Sequence, residues 1–317
     1  MSTTDAAEPI ILPLVGSLAD IEFAKISAQS GGPPPPAHIR LGSYLSLVYV
    51  QLDGAGGLLE ASVTTFDSDA LDVAAAALRA YRPAEFECVA PGTYCSSIGD
   101  GFDSSRILLT DEIRALELKG APVAAVPHRD ALWITGSEDV DGLRRVLEGA
   151  RTAFESFPTS ARPLCLGEDG WTPFRLAKDH PLYTELCDLT YRELHSLYDT
   201  QRNLLMEQME NSGAQTYVTP YDVAEDERGE LVSYCTWTGV ASADGIASDL
   251  LLPLTDKMQI ILVEDQQPKS LVPLTDFARF RSVCGSVLEE TTHSPPRLRT
   301  LGFPTPQMIQ ELGGAQQ

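Results

Sequence analysis

One long stretch of this sequence carries apolar side chains at the three- and four-residue spacing of an amphipathic helix. The stretch covers residues 181–211, and Asn211 or Gly213 is suited to end the helix. Its apolar members are Leu182, Leu186, Leu189, Leu194, Leu197, Leu204, Leu205 and Met209. We therefore predict a long helix here, and we place it at the start of a second domain.

Strand and helix patterns alternate on both sides of this helix. Residues 44–66 predict a β-hairpin, because β-branched and aromatic residues flank glycine-containing turns. Helices are predicted over 69–81 and 139–157, each followed by a proline. Further strands are predicted over 86–96, 123–126, 131–135, 163–166, 171–176, 215–219, 231–240 and 257–263. The fold class is therefore α+β, with two mixed α/β-sheet domains, mainly antiparallel strands and a flexible N-terminal arm.

The length of 317 residues agrees with two domains. Residues 1–40 are interpreted as the arm with a proline-rich linker, 41–177 as one α+β domain, and 178–317 as a second, with a proline-rich tail. The Ser-Gly-Gly-Pro-Pro-Pro-Pro run at 30–36 has two interpretations, a linker or a docking motif for an aromatic groove. We favour the linker, because no basic residue flanks the prolines before Arg40.

The charge balance restricts the classes of partner. Lys and Arg number 23 against 45 Asp and Glu, a formal net charge of −22. This surplus argues against nucleic acid and against anionic membrane surfaces, so the expected partner is another protein or a second copy of the chain. The tail is locally basic and is predicted to dock against an acidic surface, either its own or a partner's, through Arg279, Arg281, Arg297 and Arg299.

The cysteines and the N-terminus predict a cytoplasmic protein. The six cysteines are scattered and include no Cys-x-x-Cys pair, so we interpret them as buried, reduced thiols. No Lys or Arg precedes Lys25, which argues against a secretory signal. Neither a metal-ligand pattern nor a phosphate-binding or dinucleotide-binding fingerprint is present, so no metal and no cofactor are predicted.

A short motif recurs at a spacing of 20 residues. Leu-Pro-Leu-Thr-Asp ends at Asp256, and Val-Pro-Leu-Thr-Asp ends at Asp276. Either Pro-x-x-Asp is a turn that begins a strand, or a β unit is duplicated. We favour the turn.

Two motifs carry a resemblance to a known family. Residues 100–108 read Asp-Gly-Phe-Asp-Ser-Ser-Arg-Ile-Leu, and residues 123–132 read Val-Ala-Ala-Val-Pro-His-Arg-Asp-Ala-Leu. In this order they resemble the YtpQ-like family, a bacterial group of unknown function, over residues 69–177. The resemblance implies a soluble bacterial cytosolic protein without a recognised catalytic motif, and it says nothing about residues 181–317.

The first motif supplies candidate anion-binding or ligand-binding residues. Asp103, Ser105 and Arg106 stand before a predicted helix, where a helix N-terminus, hydroxyl groups and a guanidinium are able to hold an anion. Asp100 and Asp103 would repel that anion. The structural alternative, which we favour, has Asp103 capping the helix and Arg106 paired with a carboxylate.

The second motif supplies weak catalytic candidates. His128 and Asp130 are two residues apart and would suit an acid–base pair, although a single histidine is more often a hydrogen-bonded structural residue.

Two functional hypotheses follow. The preferred one is a non-enzymatic protein-interaction component, an adaptor or an assembly subunit of a bacterial cytosolic pathway. The alternative is a small-molecule enzyme or anion-sensing domain in which the two motifs meet in one cleft.

Overall fold

The computed structural model describes residues 10–52, 58–61, 66–153, 159–226, 229–243 and 245–314. Helices and four mostly antiparallel sheets confirm the predicted α+β class. The chain forms two compact units. Unit 1 comprises Met1–Ile21 and Pro35–Leu189, and unit 2 comprises Glu22–Pro34 and Thr190–Gln317.

Strands and helices are interspersed up to the end of the long helix. In chain order they are β1 (Ile10–Ser17), α1 (Leu18–Gln29), β2 (Ile39–Leu41), β3 (Leu45–Leu52), β4 (Leu58–Glu60), α2 (Ala70–Tyr81), β5 (Glu87–Ala90), β6 (Thr93–Ser96), a 3-10 helix (Ser104–Leu108), α3 (Thr110–Arg114), β7 (Pro122–His128), β8 (Ala131–Gly136), α4 (Val140–Ala153), β9 (Ser160–Gly167), β10 (Gly170–Pro173) and α5 (Tyr183–Ser212).

Unit 1 contains two antiparallel sheets. Sheet A has the order β1-β3-β2, with β4 also paired to β3, and sheet B has the order β10-β9-β7-β8-β6-β5. The predicted hairpin over 44–66 is the β3–β4 pair, and its turn lies outside the described residues. One hydrophobic core joins both sheets and includes Leu12, Leu47, Ile107, Ala124 and Leu164. A second core packs α4 and the start of α5 against sheet B.

The N-terminal arm is the largest departure from the predicted fold. From Ile10 to Gln29 the chain forms β1, which pairs with β3 along its whole length, and then α1. Pro13 is tolerated because β1 is an edge strand. The Val15 N–H points away from β3. Pro13 lies two residues earlier, so its backbone nitrogen also faces away from β3, and its missing N–H removes no hydrogen bond of the sheet. The proline-rich run over 33–36 has no regular secondary structure, as a linker would.

Unit 2 is built on two further sheets. Its elements after α5 are β11 (Tyr217–Val218), β12 (Asp222–Glu225), β13 (Leu231–Ser242), β14 (Gly245–Ala247), β15 (Leu250–Pro253), β16 (Lys257–Glu264), β17 (Gln267–Asp276), α6 (Phe277–Cys284), a 3-10 turn (Gly285–Val287), β18 (Leu288–Glu290), β19 (Arg297–Thr300) and α7 (Pro306–Glu311). Sheet C has the order β11-β15-β19-β18, and sheet D has the order β12-β13-β16-β17 with β14 also on β13. The pairs β11–β15 and β13–β16 are parallel.

The long helix is confirmed, but its apolar stripe is divided between the two units. Leu182, Leu186 and Leu189 are buried in a core of unit 1, whereas Leu205 is buried in unit 2 together with Ile26 of α1. The contacts therefore divide the chain within α5, after Leu189, and not at the predicted boundary at residue 177. They also place Glu22–Pro34 of the predicted arm in unit 2.

The repeated Pro-x-x-Asp motif has a different structure at each copy. Asp256 follows β15 and precedes β16, as the turn interpretation predicts. Asp276 instead ends β17 and precedes helix α6. Because β15 lies in sheet C and β17 in sheet D, the two copies are not equivalent strands of a duplicated unit.

All six cysteines are free thiols, but they are not all buried. Cys95, Cys235 and Cys284 are buried, Cys165 and Cys187 are half-buried, and Cys88 is exposed. Burial raises the pKa of Cys235 to about 12 and that of Cys284 to about 11, so both thiols are protonated at neutral pH.

We expect this difference to appear as one fast-reacting thiol at Cys88. Titration of the native protein with an aromatic disulfide reagent should label this thiol first, because Cys88 is exposed whereas the other five cysteines are half-buried or buried. The Cys88→Ser variant should lack the fast phase, and Cys235→Ser should keep it. A fast phase that survives in Cys88→Ser would contradict the assignment.

Candidate functional site

The first motif folds into a buried ion cluster. The Arg106 guanidinium is almost fully buried; its Nη2 lies 2.7 Å from Asp100 Oδ2, and its Nη1 lies 3.3 Å from Asp103 Oδ1. Arg106 is expected to pair with one carboxylate if the motif has a structural role. It pairs with two.

Asp103 does not cap the helix that follows it. Its side chain makes no capping hydrogen bond there and turns back to accept hydrogen bonds from Ser96 Oγ at 2.6 Å, the Ile98 amide at 2.9 Å and the Gly99 amide at 2.8 Å. Leu109, with ψ of 61°, separates the 3-10 helix from α3.

The two motif serines bind the outer edge of sheet A. Ser105 Oγ accepts the Val15 N–H at 3.0 Å, and Ser104 Oγ donates to the Val15 carbonyl at 2.8 Å. Both serines are completely buried. The Ser104 O–H that an anion would require is therefore donated to β1, and the Ser105 oxygen is held by the Val15 N–H.

The electrostatics of the cluster match a structural role. Burial by itself raises the pKa of Asp100, but hydrogen bonds from Arg106 and from the Phe102 amide, together with the charge of Arg106, outweigh burial and hold this pKa below its ordinary value. Both Nη atoms of Arg106 donate to carboxylates, and its buried Nε makes no hydrogen bond within the described residues. Two carboxylates already neutralise this guanidinium.

The second motif forms the tight turn between β7 and β8. His128 Nδ1 accepts the Asp130 N–H at 3.1 Å and lies 3.5 Å from Asp130 Oδ2. The two motifs touch through their backbones, because the Ser104 N–H donates to the Arg129 carbonyl at 2.9 Å. His128 and Asp130 are both partly exposed, whereas Arg106 is buried.

A different region, in unit 2, carries a concave surface that the sequence analysis did not identify. This surface, which we call the Tyr217 cavity, has a volume of 920 Å³. Four chain segments line it, with the residues Gln215, Tyr217, Thr238, Val240, Ala247, Ser248, Asp249, Leu250, Arg299, Thr300, Leu301 and Gly302.

Strand pairing brings the apolar walls of the Tyr217 cavity together. Val240 faces Ala247 in the β13–β14 pair, and Tyr217 lies beside Leu250 in the β11–β15 pair. Three wall residues face solvent, with Tyr217 45%, Val240 50% and Leu301 60% exposed. The cavity is therefore an open apolar surface rather than an enclosed pocket.

The polar groups of the Tyr217 cavity are mostly engaged with the protein itself. Trp237 Nε1 donates to Ser248 Oγ at 2.8 Å, and Thr300 Oγ1 donates to the Ser248 carbonyl at 2.8 Å. Asp249 Oδ2 accepts the Thr216 hydroxyl at 2.8 Å, while its Oδ1 lies 3.5 Å from Arg299 Nε. Arg299 and Asp249 are the charged members of the lining.

Arg297, two residues before Arg299, has a structural role that the sequence did not predict. Arg297 is 1% exposed, and it joins α5 to sheet C. Its Nε donates to Gln201 Oε1 at 2.5 Å, and its Nη atoms donate to the carbonyl groups of Thr219 at 2.8 Å, Leu251 at 3.1 Å and Tyr198 at 3.2 Å. Burial lowers the pKa of Arg297 to about 10, which still leaves a cation at neutral pH.

The tail arginines are predicted to contact an acidic surface, but their partners in this chain include carbonyl and amide oxygens as well as carboxylates. Arg297 binds carbonyl and amide oxygens, Arg279 donates to the Glu311 carbonyl at 2.7 Å, and Arg281 pairs with Glu290. Arg299 lies beside Asp249. One sequence signal pointed to the Arg297 network: Gln201 stands four residues from both Leu197 and Leu205, on the apolar stripe of α5.

The described ranges of the chain contain no group of three His, Cys, Asp or Glu side chains placed to hold a metal ion. Within the same ranges, none of the helices combines the length and the apolar character that a membrane crossing needs. No known protein family, curated protein or solved structure matches the chain. The YtpQ-like resemblance stays a prediction.

Proposed function

We propose that this chain is a non-catalytic protein-binding component, an adaptor or assembly subunit, and that it docks a protein partner on the Tyr217 cavity. We further propose that it acts in the cytosol of a bacterium, where free cysteines are the rule. The expected partner is another protein or a second copy of this chain.

The observation that carries the proposal is the gathering of exposed apolar side chains. Five large apolar residues of the described part of unit 2 are exposed: Tyr217, Val240, Ile246, Leu274 and Leu301. Three of them, Tyr217, Val240 and Leu301, line the Tyr217 cavity. Single exposed apolar residues are ordinary on a protein surface, but a contiguous set marks an interaction site.

The bonding of the two motifs supports a non-catalytic role. An enzyme or anion sensor built on Arg106 and His128 needs their side chains free to meet a ligand. Arg106 is instead neutralised by two buried carboxylates, and Ser105 accepts a hydrogen bond from β1. A protein-docking role needs none of these groups.

We expect the Leu301→Asp substitution to abolish partner binding without unfolding the protein. Leu301 is 60% exposed, so the variant retains its core, but it places a charge on an apolar docking surface. The loss should be at least about tenfold in affinity, because a buried leucine side chain contributes roughly 1.5–3 kcal/mol and about 1.4 kcal/mol is tenfold.

The matched control is Leu274→Asp, because Leu274 is an exposed leucine of the same unit in β17, outside the cavity lining. Wild type and both variants are each tagged and used in quantitative affinity enrichment from the native host, and the mass of each purified protein in solution is measured. A partner, or a self-association, should be kept by wild type and Leu274→Asp and lost by Leu301→Asp. Equal recovery with all three proteins would refute the proposal.

A further inference from the structure

Arg299 is the cationic side chain of the Tyr217 cavity lining, and its guanidinium keeps donors for a further acceptor. Its side chain is 51% exposed, and it donates no hydrogen bond to any residue in the described ranges. Its nearest carboxylate oxygen is Asp249 Oδ1, at 3.5 Å from Nε. The other oxygen of Asp249 is held by Thr216 at 2.8 Å, so Asp249 is fixed beside Arg299 and orients it.

The backbone donors along the same lining are already in use. The Tyr217 N–H donates to the Asp249 carbonyl, the Leu301 N–H donates to the Val287 carbonyl, and the Leu250 N–H donates to Thr300 Oγ1. A free C-terminal carboxylate is usually captured by successive backbone N–H groups, and these three are not free to do so. The guanidinium of Arg299 is thus the main group offered to an acceptor.

A second cation stands behind the aromatic wall. The Arg202 guanidinium lies 5.9 Å from the centre of the Tyr217 ring, and its Nε donates to the Val218 carbonyl at 3.0 Å. The chain as a whole is strongly acidic, but charges more than ~8 Å away are largely screened at physiological salt. The charged groups nearest the cavity are therefore Arg299, Arg202, Asp249 and Glu289, which faces Arg299 in the β18–β19 pair.

Resting on the proposed function, we infer that the partner segment presents an Asp or Glu side chain next to an apolar side chain. The apolar side chain packs against Tyr217, Val240 and Leu301, and the carboxylate pairs with Arg299. A planar guanidinium matches a carboxylate with two parallel hydrogen bonds, which fixes the orientation of the segment. A single half-exposed guanidinium beside apolar walls suits one carboxylate, whereas a nucleic acid requires a cluster of cations.

The first test is selection of peptides from a displayed library of random dodecamers on the immobilised full-length protein. Peptides retained by wild type and by Leu274→Asp, and released by Leu301→Asp, should be enriched in Asp or Glu within one or two positions of an aromatic or branched apolar residue. Selected peptides without acidic enrichment would overturn the inference. A library that yields no peptide retained by wild type over Leu301→Asp would overturn both the inference and the proposed function.

The second test is a double-mutant cycle with one selected peptide and its Glu→Gln or Asp→Asn counterpart, measured by fluorescence anisotropy. Arg299→Gln should weaken binding of the acidic peptide by about tenfold or more and leave binding of the amide peptide unchanged. Arg299→Lys keeps the charge without the planar fork and should give an intermediate loss. If Arg299→Gln binds the acidic peptide as wild type does while Leu301→Asp loses it, the inference fails and the docking proposal stands.

Discussion

Replacing Arg297 by methionine is expected to lower the free energy of local unfolding around sheet C by about 3 kcal/mol or more. Methionine fills much of the space but removes every donor, so the carbonyl groups of Tyr198, Thr219 and Leu251 and the side-chain oxygen of Gln201 lose their hydrogen bonds to Arg297. The Leu251 carbonyl keeps the Thr219 N–H, at 3.0 Å. Each buried acceptor left unsatisfied costs about 1–3 kcal/mol. The methionine variant no longer has the desolvation penalty of a buried cation, which offsets part of this loss.

The measurement is native-state hydrogen exchange of the amides in β15 and β19, which reports on unit 2 separately from unit 1. Arg297→Lys should be nearly as destabilised as the methionine variant, because a lysine ammonium presents three donors from one point and does not span four acceptors on α5 and sheet C. The matched control is Arg299→Met on the same strand, whose half-exposed side chain should cost less than about 0.5 kcal/mol. Protection in Arg297→Met equal to that in wild type would show that the network contributes little.

The second large effect is expected at Arg106 in unit 1. Arg106→Met leaves the Asp100 and Asp103 carboxylates buried without their cation, and breaking a buried ion pair in this way costs about 3–5 kcal/mol. Exchange of the amides in β1 and β6 at pH 7 measures the loss. Arg79→Met is the control, because its side chain and that of its partner Glu112 are 40% and 31% exposed, and a solvent-accessible pair contributes about 1 kcal/mol or less.

The pH dependence distinguishes loss of the charge from loss of packing. In wild type the pKa of Asp100 is lower in the folded state than its unfolded value of about 3.9, so the unfolded state binds more protons. The stabilisation from Asp100 is therefore complete above about pH 4 and is lost as the pH falls through the lower folded pKa.

The Arg106→Met variant should show the opposite slope. Without the cation, burial raises the pKa of Asp100, and the folded state then takes up protons before the unfolded state does. The variant should gain stability, relative to wild type, as the pH falls from 7 towards 4. A constant difference between the two proteins over this range would attribute the destabilisation to packing alone.

Local sequence patterns predicted the elements of this fold where each element depends on its own residues. Helix α2 and helix α5 begin and end within two residues of their predicted limits, because spacing, caps and prolines are local signals. The prediction of a flexible arm was wrong because β1 pairs with β3, whose residues are about thirty to forty positions away in the sequence. In addition, Pro13 taken by itself argues against a strand.

The spacing of residues along the sequence could not predict the bonding of Asp103 or the position of the Tyr217 cavity. Asp103 stands at a cap position, but Gly99 and Gly101, with φ of 75° and 82°, turn the preceding loop so that Ser96 and two backbone amides reach its carboxylate. The Tyr217 cavity combines segments near residues 215, 240, 248 and 300. Each contributes one or two exposed apolar residues, which taken singly are unremarkable in any sequence.

The serines at 104 and 105 also bear on how this protein behaves when concentrated. An eight-residue strand at the margin of a sheet is a template on which another molecule can add a strand and begin an aggregate. In β1, Pro13 has no N–H to offer to an added strand. At Val15, two residues further on, the Ser104 and Ser105 hydroxyl groups bind the carbonyl and the N–H of the backbone. The motif that resembles a binding loop thereby protects the colloidal stability of the molecule.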